Sequence, residues 1–418
     1  MTNPDYARQI RDLQALLQIT RELAANTELR PLLTCVEQAA RRVLDCERST
    51  VFLYDETTDE LVSQQATGTG TIRFPARSGI AGEVVRTGKI INVTDAYADP
   101  RFNPAIDHNT GFRTRNLLTF PLLSVNNHPV GVLQVLNKRG GAFTDWDCEV
   151  VQAMGAQVGV AVQRQMLIDA HADKLRLQRD MNLARQIQQD LLPKAPAAVP
   201  GYDITGWNRP ADETGGDCFD HLPLPDGRFA LILADATGHG IGAALIMTEC
   251  RALFHALISV TPDLADAVHR VNNMLANDLA DGKFVTGFFG VLNPEEHTLT
   301  WISAGQAPLF QYHACTGQLL ELPASGVPAG ILLDFPYDPP STWPMEPGDL
   351  MVLVTDGFLE CTNAQGQQFG HDRLKAVIRA HCHGTSAQII KAMTEAIGYF
   401  IGGQAQADDL TALVIRRC

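Results

Sequence analysis

Four acidic clusters in the second half of the chain hold its clearest chemistry. They are Asp217 after Gly215-Gly216, Asp235 opening Asp-Ala-Thr-Gly-His-Gly, Asp356 in Thr355-Asp-Gly357, and the pair Asp408-Asp409. Asp235 directly follows the apolar run Phe229–Ala234, so a buried strand is predicted to end on a carboxylate and turn on glycines. That ending aims a charge and nearby backbone carbonyls at a shared point, which suits a hard divalent cation. Carboxylates gathered closely repel one another unless protons or metal neutralise them. Oxygen-only donors favour Mg²⁺ or Mn²⁺ over zinc or copper. Two such ions about 3.5–4 Å apart can share a water, lower its pKa and clamp a phosphoryl group. The predicted chemistry is phosphate-ester hydrolysis that needs no phosphoenzyme. Any one of these acids alone would read as a cap or turn residue; their number argues for a site.

The surrounding pattern supplies elements to position them. Beyond residue 201, apolar runs predict strands at Phe229–Ala234, Phe284–Leu292, Leu299–Ser303, Leu350–Thr355 and Thr411–Ile415. Helices are predicted at about 241–259, 262–279 and 385–400. Strands and helices in separate runs imply an α+β fold, here a β-sandwich flanked by helices.

An earlier block reads as a second α+β unit. Leu13, Leu16, Leu17, Ile19 and Leu23, then Leu32, Leu33, Val36, Ala39, Ala40, Val43 and Leu44, recur at helical spacing. Strands follow at Ser49–Tyr54, Leu61–Gln65, Ile90–Val93, Leu117–Leu122 and Val130–Asn137, then a helix from about Asp145. Residues 160–192 lack glycine and proline, and Leu177, Met181, Ala184, Ile187 and Leu191 form a heptad-like stripe. This stripe fits a single linker helix packed on its own domain, or a parallel coiled coil that makes a homodimer. The predicted units are 14–165, 160–192 and 195–418.

Composition narrows the class. The chain has 418 residues, 45% hydrophobic and 19% charged, which implies a globular protein of two or three domains. A formal net charge of −14 argues against nucleic acid as a partner. No apolar run is expected to reach the roughly 20 residues that cross a bilayer, so no membrane partner is predicted. The start, Met1-Thr-Asn-Pro-Asp-Tyr, lacks the basic flank and apolar stretch of a signal peptide, so a cytoplasmic location is expected. Nine scattered cysteines without a CxxC pair read as reduced thiols.

Five ordered motifs of the second half resemble one family. They are Glu213-Thr-Gly-Gly-Asp-Cys-Phe-Asp220, Asp235-Ala-Thr-Gly-His-Gly-Ile-Gly-Ala-Ala-Leu245, Ser303-Ala-Gly-Gln-Ala-Pro308, the stretch Pro347–Glu360 and Asp408-Asp-Leu-Thr411. With the lead-in Ala184–Pro193, they are similar to the SpoIIE/RsbU-type branch of PPM (protein phosphatase 2C-like) Ser/Thr phosphatases. The resemblance implies that Asp235 bridges two Mn²⁺ or Mg²⁺ ions, with the carbonyl of Ala236 as a further ligand. Asp356 and Asp408 would hold one ion, and Asp217 would lie at the other. It also implies supporting roles for Asp220 and Asp409, and a proton-donating or turn-shaping role for His239. The sequence departs from the family pattern at Cys218-Phe219, Thr237 and Gln306. A phosphorylated protein, of the anti-anti-sigma type in a partner-switching pathway, is the implied substrate.

The first block resembles a GAF domain through Gly79–Gly88, Asp95–Phe102, Gly111–Pro121 and Gly131–Lys138. It is similar to GAF domains that bind cyclic nucleotides, whose dispersed Asn-Lys…Phe…Asp-Glu signature is matched by Asn137, Lys138, Phe143 and Asp147. Cys148 stands at the Glu position. The implied regulatory ligand is cAMP or cGMP; another small molecule, or pure dimerisation, is the alternative. From the residues themselves, free N–H groups at Ile80 and Ala81 of a predicted helix start would receive a phosphate, and Thr110 and Thr114 offer hydroxyls. The whole reads as a ligand-regulated protein phosphatase. A non-catalytic nucleotide-sensing adaptor and a hydrolase of small phosphate esters are the rival readings.

Overall fold

The computed structural model describes residues 14, 17–23, 25–63, 71–261, 263–280 and 282–418. Leu13, Leu16, Gln64 and Gln65, assigned to a helix and a strand above, lie outside the described residues, as do the side chains of Ile106, Asn109 and Thr110. Contacts divide the chain after Arg176 into two units.

The first unit is built on a six-stranded antiparallel sheet. Its strands are β1 (Cys46–Asp55), β2 (Glu60–Ser63), β3 (Arg73–Pro75), β4 (Ile91–Val93), β5 (Leu117–Leu123) and β6 (Pro129–Lys138), in the order β3-β2-β1-β6-β5-β4. Alternate residues of β5 divide between its faces. Leu118, Phe120 and Leu122 pack against Val36 and Ala40 of the helix Leu29–Leu44, and against Val151, Met154 and Val158 of the helix Asp145–Leu191. The latter lies so near the sheet that a Cβ at Gly155 or Gly159 would fall 2.5 Å from the Pro121 carbonyl or 2.2 Å from that of Leu123. The opposite face carries the helix Gly79–Thr87 through Ala81, Val84 and Val85.

The second unit is a sandwich of two five-stranded antiparallel sheets. One has the order β14-β11-β10-β9-β8, from β8 (Asp217–Pro223), β9 (Phe229–Ala236), β10 (Val285–Asn293), β11 (Thr298–Ala304) and β14 (Ser341–Pro344). The other has the order β13-β12-β15-β16-β7, from β7 (Tyr202–Arg209), β12 (Leu309–His313), β13 (Gln318–Leu322), β15 (Leu350–Val354) and β16 (Leu410–Arg417). Leu231, Leu233, Phe288, Leu353, Leu413 and Ile415 fill the space between the sheets. Ala230, Ile232 and Ala234 face instead the helices Ile241–Val260 and Leu264–Asp278, which cover the outer side of the first sheet. The helices Gly357–Glu360, Gly370–His381 and Ser386–Ile401 cover the second.

One composition-based expectation is corrected. The helix Ile241–Val260 is long and apolar enough to cross a membrane. Here Ala243, Met247, Cys250, Phe254 and Ile258 turn one face of the helix onto the sheet beneath, while Ile241, Leu245 and Val260 stay exposed. Burying such side chains stabilises by about 1.5–3 kcal/mol each for the larger ones.

Candidate active site

Strand alternation assembles the acids. In β9, Asp235 continues the parity of Leu231 and Leu233, so it stands on the inter-sheet side. The β8–β9 register pairs Asp217 directly with Asp235. Thr355 and Thr411 come to the same sheet end from β15 and β16. The Thr355 hydroxyl donates to Asp217 Oδ2 at 2.7 Å and accepts from the Thr411 amide at 3.1 Å. Asp356 starts the short helix Gly357–Glu360, yet its side chain makes no cap bond there. Asp217 is buried, Asp235 half-buried, and Asp356 and Asp408 exposed, so the acids run from the sandwich interior out to solvent.

Their charges act on one another. Burial, then the charge of Asp356, pushes Asp235 up to about 7, although Asp217 donates a hydrogen bond to it. Burial and the Asp235 charge hold Asp217 well above the ordinary carboxylate range. Desolvation, then Asp408, raises Asp356. Two facing aspartates that share a proton are a pair lacking a cation. Among the described residues, no three acids, histidines or cysteines close into a ready metal cage. The arrangement is an open, all-oxygen cluster in which a divalent ion would replace the shared proton, and its donors fit Mn²⁺ or Mg²⁺.

Glycines and a buried acid shape the rim. Asp409 accepts from the Ala211 amide at 2.7 Å and the Gly216 amide at 2.6 Å. A Cβ at Gly215 would lie 2.4 Å from its Oδ2, and one at Gly357 2.0 Å from its carbonyl. Gln188, near the end of the long helix, holds Gly215 with both halves of its amide. Its Nε2 donates to the Gly215 carbonyl at 2.6 Å, and its Oε1 accepts from the Gly215 amide at 3.1 Å. His239 lies in the turn after Asp235, with Nδ1 2.9 Å from Asp212 Oδ2 and the ring 83% exposed. The buried Gln306 donates to the Val354 carbonyl at 2.7 Å, a brace between the sheets.

The first unit encloses a cavity of about 410 Å³ between its sheet and the helix Gly79–Thr87. Ile80, Ala81, Arg101, Phe102, Thr114 and Gln134 line it. Arg101 is gripped by Asp99 at 2.5 Å and Glu83 at 2.9 Å, and the guanidinium holds Asp99 down at about 2. Beside the cavity, Lys138 Nζ lies 2.9 Å from Asp147 Oδ1 in a buried pair, and Asp147 also accepts from the Thr144 amide at 2.7 Å.

The family description Stage II sporulation protein E (SpoIIE) matches residues 225–418, and the GAF domain description matches residues 28–162. The chain is a GAF domain joined to a SpoIIE-type Ser/Thr protein phosphatase domain. It is 27% identical over 241 residues to "Phosphoserine phosphatase RsbU" of Bacillus subtilis, a match spanning 58% of this chain and 71% of that protein. The GAF side is 32% identical over 143 residues to the cGMP-specific 3',5'-cyclic phosphodiesterase of Drosophila ananassae, spanning 33% of this chain but 12% of that protein. The solved SiaA-PP2C domain of Pseudomonas aeruginosa matches with a TM-score of 0.53 and 23% identity, over 59% of this chain and 98% of that one, a likeness of fold.

Two expected residues of the phosphatase and GAF domains fall elsewhere. Asp220 sits three residues along β8 from Asp217, and period-2 alternation turns it to the helical face. There Arg251 meets it at 2.5 Å and His255 at 3.1 Å. Burial alone would raise Asp220, but these partners outweigh it and lower it. Asp220 therefore anchors a helix and does not reach the acid cluster. In the GAF domain, the Thr114 hydroxyl is already given to Asp107 Oδ1 at 2.8 Å, so it is not a free ligand donor. The side chain of Thr110 lies outside the described residues. Sequence reading also passed over Thr355, Asp212 and Gln188 as working groups. Thr355, next to Asp356, and Gln188, in the lead-in Ala184–Pro193, lie in quoted motifs; Asp212 does not.

Proposed function

We propose that this chain is a divalent-metal-dependent phosphatase that removes phosphate from serine or threonine of a protein partner, under control of a small ligand in the GAF cavity. The observation that carries the reading is the strand register that sets Asp217 directly against Asp235 amid further acids. Asp217, Asp235, the Ala236 carbonyl, Asp356 and Asp408 would hold the metal. When bound, two Mn²⁺ or Mg²⁺ ions would supply charge to phosphoryl oxygens and acidity to an attacking water. The rest falls to the chain. Asp409 and the glycines around it fix the loop that carries Asp217. Asp212 orients the His239 ring through Nδ1, so Nε2 faces outward to give a proton to the leaving serine oxygen.

The RsbU likeness supports a phosphoserine-bearing protein substrate in a partner-switching pathway. The test measures release of phosphate from a phosphoserine peptide and from p-nitrophenyl phosphate, with and without Mn²⁺. Metal-dependent turnover that prefers the peptide is expected; turnover of the small ester alone would favour a small-molecule hydrolase.

For the GAF cavity, the phosphodiesterase likeness and the backbone amides at Ile80 and Ala81 support cAMP or cGMP. Calorimetric titration of the whole chain with each nucleotide tests it, and absence of heat at high micromolar ligand removes it. The stripe Leu177, Met181, Ala184, Ile187 and Leu191, of which Leu177 and Ile187 are exposed, supports a homodimer, which light scattering would detect.

A further inference from the structure

We infer that Lys283 receives the phosphate group of the substrate at the rim of the acid cluster, an inference that rests on the phosphatase reading above. The β9–β10 register pairs Asp235 with Thr286 and Ala236 with Val285. The ladder runs one step further, since the Thr237 amide donates to the Phe284 carbonyl at 3.0 Å and the Phe284 amide donates to Thr237 Oγ1 at 3.2 Å. Lys283 therefore stands opposite Gly238, in the turn between Asp235 and His239. Its Nζ approaches the Thr237 carbonyl at 3.5 Å. A Cβ at Gly238 would come within 3.3 Å of that Nζ, and Gly238 holds φ at +92°. Glycine here leaves the ammonium room to lie over the turn.

An ammonium offers three donors, and among the described residues Nζ uses one in a single long contact. Lys138, Lys194, Lys375 and Lys391 each lie within 4 Å of a carboxylate. Lys283 has no ion pair among the described residues, although it borders the most acidic part of the domain. An unpaired cation there is free for a mobile anion. The same turn leads into the helix Ile241–Val260, whose N-cap Gly240 gives no side-chain cap, so the first amides of that helix also face outward. A phosphate monoester dianion approaching a ring of aspartates needs such a positive entry. Lys283 contacts phosphate and not peptide, so it serves large and small esters alike.

The test uses the full Mn²⁺-loaded chain with Lys283→Ala, Lys283→Gln and Lys283→Arg. We expect Lys283→Ala and Lys283→Gln to raise KM about tenfold or more for both the phosphoserine peptide and p-nitrophenyl phosphate. The value of kcat should stay within about threefold, and Lys283→Arg should retain most of the affinity. Calorimetric binding of inorganic phosphate should weaken by the same factor in Lys283→Ala, while half-saturation by Mn²⁺ stays unchanged. Unaltered KM and phosphate affinity would overturn the inference, as would a change confined to Mn²⁺ half-saturation. If the unsubstituted chain proved inactive on every ester, the phosphatase reading would fall, and the phosphate titration alone would decide the role of Lys283.

Discussion

The GAF cavity lies between a sheet and a helix and the acid cluster at the end of a sandwich, and the two treat charge in opposite ways. Around the cavity, among the described residues, Arg101 pairs with Asp99 and Glu83, Lys138 with Asp147, and the Thr114 hydroxyl donates to Asp107. The cluster sets Asp217 against Asp235, both raised by burial and by neighbouring carboxylates, with Asp356 and Asp408 adding more negative charge. The charges beside the first recess are held by partners in the fold. The second is incomplete, and its stability is tied to what binds there.

The sharpest break of that contrast is to remove an acid. Asp235→Ala and Asp356→Ala should each lower phosphatase turnover by about 10³-fold or more while the circular dichroism spectrum is kept. Retained Mn²⁺-dependent turnover in both variants would defeat the metal assignment. The matching cut on the GAF side is Lys138→Met, which leaves the buried Asp147 its Thr144 hydrogen bonds but removes its cation. It should cost the GAF domain about 3–5 kcal/mol in denaturant unfolding and leave metal-dependent turnover nearly unchanged.

A third test uses pH. The folded Asp235 carboxyl, at about 7, lies above its ordinary unfolded value, so the folded state binds the extra proton. Without metal, its contribution is fully present below about pH 4 and is lost as pH rises through about 7. The melting temperature of the phosphatase domain in chelator should therefore fall between pH 5 and pH 8. Asp235→Asn should flatten that slope, worth roughly 2–4 kcal/mol at most, and Mn²⁺ at pH 8 should restore the unsubstituted domain. A pH-independent melting temperature in chelator would count against the proton-sharing pair. The smallest expected effect is at Asp212→Asn, about tenfold on kcat for the phosphoserine peptide, since His239 loses its orienting partner. The nitrophenolate of p-nitrophenyl phosphate leaves without a proton, so its turnover should hardly move; equal losses on both substrates would assign Asp212 a purely structural part.

Much of this was legible in the residues because alternation and glycine carry three-dimensional meaning. The apolar run ending at Asp235 set both the strand and its inward parity. Gly215, Gly216 and Gly357 marked places where backbone meets another group closely, which the crowding against Asp409 and against the Ala236 carbonyl explains. Strands β7, β8, β12, β13 and β14 went unread, since they are short or mix polar and apolar residues. Asp220 was misplaced because adjacency in a motif was taken for adjacency in space, and in β8 three steps reverse the face. Thr355, Asp212 and Gln188 act through one or two hydrogen bonds to partners far along the chain, and no local pattern announces such pairings.

The amide grip of Gln188 on Gly215 bears on how the phosphatase should be isolated. A fragment trimmed to begin near residue 195 would discard this grip and unfasten the loop next to Asp217. Its sluggishness would then mimic autoinhibition, or its looseness mimic activation, with no regulator present. Beginning near Leu177 keeps the fastening, and only that fragment gives a fair zero against which control by the GAF domain can be measured.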